Sequence, residues 1–173
     1  MVSSSNEGLD DDDKDYDTYP YKQLTSNEIE KLKLQWFMRD ALPPDLKEGA
    51  YVYNQDSQTG TGTHWCCFCL KKPYIYYVDP FGTDLNGYPP SELRSWGYTH
   101  GYTKLYANEE DFQHLKSWLC GWYACYFALK MNKHFKSLTP TTFDRIIQKG
   151  IDKYPTSNNI NIITKWGKAK GIM

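Results

Sequence analysis

The spacing of apolar residues changes several times along the chain, and each change marks an element. Thr25-Ser26-Asn27-Glu28 has capping-box spacing, and Leu24 with Ile29 can form the accompanying hydrophobic staple. Ile29, Leu32, Trp36 and Phe37 then recur at helical intervals. This predicts a helix from Thr25 that stops before Pro43-Pro44. Tyr51-Val52-Tyr53 reads as a strand, and residues 54–63, rich in Gly, Thr, Asn and Asp, as a loop. His64–Leu70 and Tyr74–Val78 read as two strands joined through Lys71-Lys72-Pro73 as a hairpin, with Pro80-Phe81-Gly82 ending the second. A short helix over Ser91–Trp96 and a fourth strand over Tyr102–Tyr106 follow. Leu119–Met131 is almost wholly apolar and aromatic, long enough for a buried helix. Phe143, Ile146, Ile147 and Ile151 place a last helix over Thr141–Tyr154. The expected class is α+β, a small antiparallel sheet packed by helices.

The chain of 173 residues, 40% hydrophobic and 24% charged, holds one domain with one core. No stretch approaches the roughly 18 apolar residues that a membrane span needs. Met1–Gly8 is polar and lacks a basic start, which argues against a secretory signal. An aromatic content of 16% argues against a disordered chain. The net charge of -1 hides an asymmetry: residues 1–17 hold seven acids and one base, leaving 14 of the 21 acids and 19 of the 20 bases to the body. Either a solvated acidic tail precedes a mildly basic domain, or a basic surface meets a polyanion and the tail partly masks it. Asp10-Asp11-Asp12-Asp13-Lys14 also has the form of a protease-cleavage tag. Residues 1–18 are therefore read as an acidic tail, 19–166 as the domain, and 167–173 as a short basic tail. The segment 161–173, with Lys165, Lys168 and Lys170 and no acid, reads as flexible and solvated.

Candidate chemistry collects at three points. His64-Trp65 opens a strand after Gly60-Thr61-Gly62-Thr63, Asp79 closes the next strand, and Cys120-Gly121 opens the most hydrophobic helix. A thiolate is the nucleophilic form of cysteine, and a helix N-terminus or a nearby imidazolium favours it. The imidazole moves protons, and a carboxylate on its other nitrogen fixes its tautomer and orientation. His64 and Asp79 are 15 residues apart, about right to bring both ends of one hairpin together. Gly121 would let a substrate backbone approach the sulfur closely. The remaining cysteines, Cys66, Cys67, Cys69 and Cys125, read as reduced core residues. Cys66 and Cys67 point to opposite faces of a strand, and no paired C-x-x-C elements suggest a structural zinc. His114 could compete as a pocket residue, whereas His100 and His134 carry no motif.

The series Gly62-Thr63-His64-Trp65, Asp79-Pro80-Phe81-Gly82, Gln113 and Cys120-Gly121 resembles the adenovirus maturation protease (adenain) family. Within it the chain looks nearest to the maturation proteases of virophages and Polinton or Maverick elements. It resembles the proteases of SUMO and other ubiquitin-like modifiers more distantly. Ala41-Leu42-Pro43-Pro44 and Gly49–Asn54 also fit, and the resemblance spans Leu24–Met131. It implies a papain-like core in permuted His-Asp-Gln-Cys order. His64 is then the general base, Asp79 its orienting carboxylate, and Cys120 the nucleophile. Gln113, seven residues before Cys120, would form the oxyanion hole with the Cys120 backbone N–H, and Trp65 would cover the substrate groove. Adenain has Glu where Asp79 stands, and the modifier proteases have Asp with one residue fewer between Gln and Cys.

The resemblance implies an endopeptidase that cleaves viral capsid or core precursors during virion maturation, favouring small residues around the scissile bond. It places the protein in the virion and the host-cell cytoplasm, neither secreted nor in a membrane. No cofactor is required by the sequence. A peptide or DNA activator and weak DNA contact stay open, but the cysteine that tethers adenain's peptide is absent, since none lies between Cys69 and Cys120. The alternatives are a deconjugating protease for ubiquitin-like modifiers and a non-catalytic capsid- or nucleic-acid-binding module on the same fold.

Overall fold

The computed structural model describes residues 23–113, 117–149 and 157–173. The expected capping box forms: the Thr25 N–H donates to Glu28 Oε2 at 2.8 Å, the two side chains also bond, and Leu24 and Ile29 are both buried. The helix itself, α1 (Ser26–Lys31), is much shorter than the periodicity predicts. Lys33 has φ 58°, a left-handed conformation that ends the helix, and the Leu34 N–H turns back to the Ile29 carbonyl. Trp36–Met38 is then strand β1. Trp36 and Phe37 fit a helical repeat from Ile29, but as strand neighbours they pack against opposite apolar clusters.

The sheet has five strands in chain order: β1, β2 (Gly49–Asn54), β3 (Trp65–Lys71), β4 (Tyr74–Val78) and β5 (Lys104–Ala107). The expected hairpin is present, with β3 antiparallel to both β2 and β4. Both edge pairings, β1 with β2 and β4 with β5, are parallel, so the sheet is mixed rather than purely antiparallel. Between β4 and β5 lie α2 (Gly82–Asn86) and α3 (Ser91–Thr99). Then come α4 (Cys120–Lys133), a 3-10 turn over Phe135–Ser137, α5 (Pro140–Gln148) and α6 (Ser157–Ala169).

Both faces of the sheet are covered, which explains why six of the seven residues of β3 are buried. Tyr51, Tyr53, Cys66, Phe68, Leu70 and Tyr77 face one cluster, completed by Leu93 of α3. Val52, Cys67, Cys69, Tyr76 and Val78 face the other, which contains α4. Small residues meet there in register, Val52 with Cys67 and Ala50 with Cys69. That leaves room for Trp122 and Phe127 of α4, both wholly buried. Ten of the fourteen residues of α4 are buried, as its near-continuous apolar run requires. The class is α+β, as expected.

The C-terminal stretch corrects the expectation of a loose tail. α6 runs through the boundary placed at 166, with Ile160 and Ile163 buried in the same cluster as α4. Asn159, also buried, donates from Nδ2 to the Phe112 carbonyl at 3.1 Å. The acidic tail, His114 and the end of the helix expected to reach Tyr154 lie outside the described residues. No helix among the described residues is long and apolar enough to cross a membrane.

Candidate active site

The β3–β4 hairpin builds the first half of the site. His64 stands immediately before β3 and Asp79 immediately after β4, and the pairing of Cys67 with Val78 brings these two ends together. His64 Nε2 lies 2.7 Å from Asp79 Oδ1, and both side chains are buried. A carboxylate only accepts, so Nε2 carries a proton directed at Asp79. Nδ1 is buried and accepts or donates no hydrogen bond. The ring stacks on Phe81 at 4.5 Å between centroids and 11° between planes.

Asp79 is held on every side. Oδ1 also accepts from the Phe81 N–H at 2.9 Å, and Oδ2 accepts from Asn86 Nδ2 at 2.8 Å and Gln55 Nε2 at 3.4 Å. Its backbone is clamped by Asn108. The Asp79 N–H donates to Asn108 Oδ1 at 2.9 Å, and Asn108 Nδ2 donates to the Asp79 carbonyl at 2.7 Å. A buried ionic group needs such satisfaction to remain affordable in a core.

The second half comes from α4. Cys120 is its first residue and is 7% exposed. Its backbone N–H is among the first-turn donors that no carbonyl of the helix can reach. The Cys120 thiol interacts with the His64 side chain, and so does Cys66 from β3. Burial disfavours the charged ring, but Cys66, the Asp79 carboxylate and Cys120 together hold His64 well above the ordinary imidazole value. The Cys66 thiol is pushed up to about 12 by burial and then by Asp79, against the opposing effect of His64. The structure thus places His64 against Asp79, with Cys120 entering from the first turn of α4.

The other expected residues are placed as follows. Gln113 is buried, donates from Nε2 to the Ser117 carbonyl at 2.9 Å, and donates its N–H to the Pro80 carbonyl at 3.1 Å. It thus ties the turn after Asp79 to the loop that delivers Cys120. Trp65 is 9% exposed, shares the apolar cluster of Cys120 and meets Trp36 edge-on at 5.8 Å. Gly121 departs from expectation. A Cβ there would fall 2.8 Å from Leu24 Cβ, so the space that the glycine opens belongs to Leu24 and not to a substrate. Phe81, Asn86, Gln55, Asn108 and the site-facing position of Cys66 were not identified from sequence. Only Phe81 carried a signal, since it sits inside the Asp-Pro-Phe-Gly series. All five cysteines are free.

A cavity of about 750 Å³ lies nearby, lined by Tyr106, Asn108, Phe112, Phe143 and the carboxylates of Asp84 and Asp144 among others. None of His64, Asp79 and Cys120 lines it.

No protein-family model matches the chain, and no curated protein does. Among solved structures, a deletion variant of AvrA determined with IP6 and CoA aligns over 83% of this chain and 67% of its own at 15% identity, with a TM-score of 0.47. An ASFV protease, in its selenomethionine form, aligns over 58% of this chain and 41% of its own at 21% identity, with a TM-score of 0.36. Likeness at this level assigns neither protein's activity to this chain.

Proposed function

We propose that the chain is a cysteine endopeptidase with Cys120 as nucleophile, His64 as acid and base, and Asp79 as the group that orients the imidazole. The observation that carries this reading is the buried His64–Asp79 pair: the ring lies 2.7 Å from a fully hydrogen-bonded carboxylate, and Cys120, on the first turn of a buried helix, favours the charged form of that ring.

Transfer of the Cys120 proton to His64 Nδ1 gives a thiolate and an imidazolium. The sulfur adds to a peptide carbonyl, and the oxyanion is met by the first-turn N–H of Cys120 and by the Gln113 amide, which gives up its hydrogen bond to the Ser117 carbonyl to do so. The imidazolium then gives its proton to the departing amine, which leaves a thioester. Water, losing a proton to His64, attacks that thioester, and proton return to the sulfur releases the acid and restores the thiol. Asp79 and the Phe81 stack keep the ring aimed throughout.

The substrates we propose are capsid or core precursors of a virus, cut at bonds flanked by small residues, in the virion or the host cytoplasm. The motif series supports this, with Gln113 seven residues before Cys120 as in adenain. The test is co-expression with candidate capsid precursors and N-terminal sequencing of the fragments, with Cys120→Ala in parallel. Cleavage that depends on Cys120 supports the reading, and cleavage that persists in Cys120→Ala overturns the nucleophile. A ubiquitin-like probe ending in an electrophile separates the substrates, because labelling at Cys120 without precursor cleavage would make the protein a modifier protease.

A further inference from the structure

Cys66 has no part in the chemistry above, yet it sits against that chemistry and not in anonymous core. Its sulfur, a ring nitrogen of His64 and a carboxylate oxygen of Asp79 all lie within 4.8 Å of one another, and all three residues are buried. From this cluster of three buried donors, we propose that His64, Cys66 and Asp79 form a site for a thiophilic divalent cation such as Zn²⁺.

The donor set selects the ion. One sulfur, one nitrogen and one oxygen suit zinc or cobalt, whereas magnesium and calcium require oxygen shells. The charges also balance. A Cys66 thiolate and the Asp79 carboxylate supply two negative charges around a neutral imidazole, so a divalent ion leaves the buried site near neutrality. The geometry lies within reach of small movements. Two bonds of about 2.1 Å at a tetrahedral ion separate their donor atoms by about 3.4 Å. The 2.7 Å His64–Asp79 contact must open by that difference, and the Cys66 sulfur must close in from within 4.8 Å. Asn86 and Gln55 already donate to the other oxygen of Asp79 and would hold it as outer partners hold a metal-bound carboxylate. On binding, the Cys66 thiol loses its proton to solvent, as does the ring if it is charged. Three protein donors leave a fourth position open.

The ion would occupy the imidazole that moves protons in the proposed reaction. On that reading, zinc is a reversible off-switch of the peptidase. Metal binding itself does not depend on that reading.

The test uses the whole chain, reduced and treated with chelator, titrated with Co²⁺ and then with Zn²⁺. Wild type should take up one equivalent of Co²⁺ with thiolate-to-metal charge-transfer absorption, displaced by Zn²⁺ and not by Mg²⁺. Cys66→Ser and Cys66→Ala should lose that absorption and bind at least ~10-fold more weakly, the scale on which even outer partners of a metal-bound histidine act. Cys120→Ala should keep it. Near-UV circular dichroism identifies variants that fold. Absence of the charge-transfer band in wild type overturns the site whatever the variants do, as does its persistence in folded Cys66→Ser or its loss only in Cys120→Ala. One equivalent of Zn²⁺ should also stop peptide cleavage, with recovery on chelation. Cleavage that continues at full metal occupancy would overturn the switch. A chain that binds metal but never cleaves would instead count against the endopeptidase reading.

Discussion

Asn108 gives the sharpest test of how the site is held. Replacing it with Ala removes an acceptor from the Asp79 N–H, a donor from the Asp79 carbonyl and a donor from the Glu110 carbonyl. The three losses are unequal. The Asp79 carbonyl still accepts from the Gly82 N–H at 2.8 Å. The Asp79 N–H is left buried with its acceptor gone, and an orphaned buried donor costs about 1–3 kcal/mol. We therefore expect Asn108→Ala to lower unfolding free energy by about 2 kcal/mol, or about 4–8 °C in Tm for a domain of this size. Asn108→Asp separates the two effects: it restores an acceptor for the N–H but loses both donors and adds a charge beside Asp79. Urea unfolding gives the stability, and the Nε2 proton resonance of His64 reports whether the carboxylate has moved. A loss below about 0.5 kcal/mol with an unchanged His64 resonance would refute the claim that Asn108 positions Asp79.

Other consequences follow from the same geometry. Stability should fall in alkali, because Cys66 and Cys69 are both pushed up to about 12 by burial and hold protons that the unfolded chain releases near 8.5. Each contributes a loss of about 1.4 kcal/mol per pH unit between those values. His64, held above its ordinary value, adds a contribution that is complete below about 6.5 and lost as pH rises through its folded value. Equal urea midpoints at pH 8 and pH 10.5 would contradict this. Phe81→Ala removes the stack on His64, an interaction worth about 0.5–1.5 kcal/mol, and should lower kcat more than it raises KM; the reverse split would place Phe81 in substrate binding instead. Ile163→Ala should cost about 2–4 kcal/mol by urea unfolding, whereas a loose tail would tolerate it freely.

The sequence showed most clearly those features that local chemistry decides. The Thr25–Glu28 box, the β3–β4 hairpin and the apolar length of α4 each depend on neighbours in the chain, and all three form. The His64–Asp79 approach followed from hairpin geometry alone. What stayed hidden depends on partners far along the chain. Trp36 and Phe37 fit a helical repeat, and only a parallel edge pairing with β2 makes them a strand. Residues 161–173 look polar because α6 buries only a narrow stripe, Ile163 within this stretch and Ile160 just before it, in the cluster of α4. Asn108 and Asn86 are single amides in loops, and nothing about them is informative until Asp79 is placed beside them. Gly121 was assigned to a substrate because it follows the nucleophile. Its neighbour in space is Leu24, nearly a hundred residues earlier.

The central claim is that Cys120 and His64 act on each other. Its most direct test is the rate of iodoacetamide alkylation at Cys120, located by mass spectrometry, in wild type and His64→Ala at pH 6 and pH 10. The account requires Cys120 to be modified at least ~10-fold faster in wild type at pH 6, with the two proteins converging at pH 10, where a free thiol ionises unaided. Equal rates at pH 6, or modification first at a cysteine other than Cys120, would contradict it.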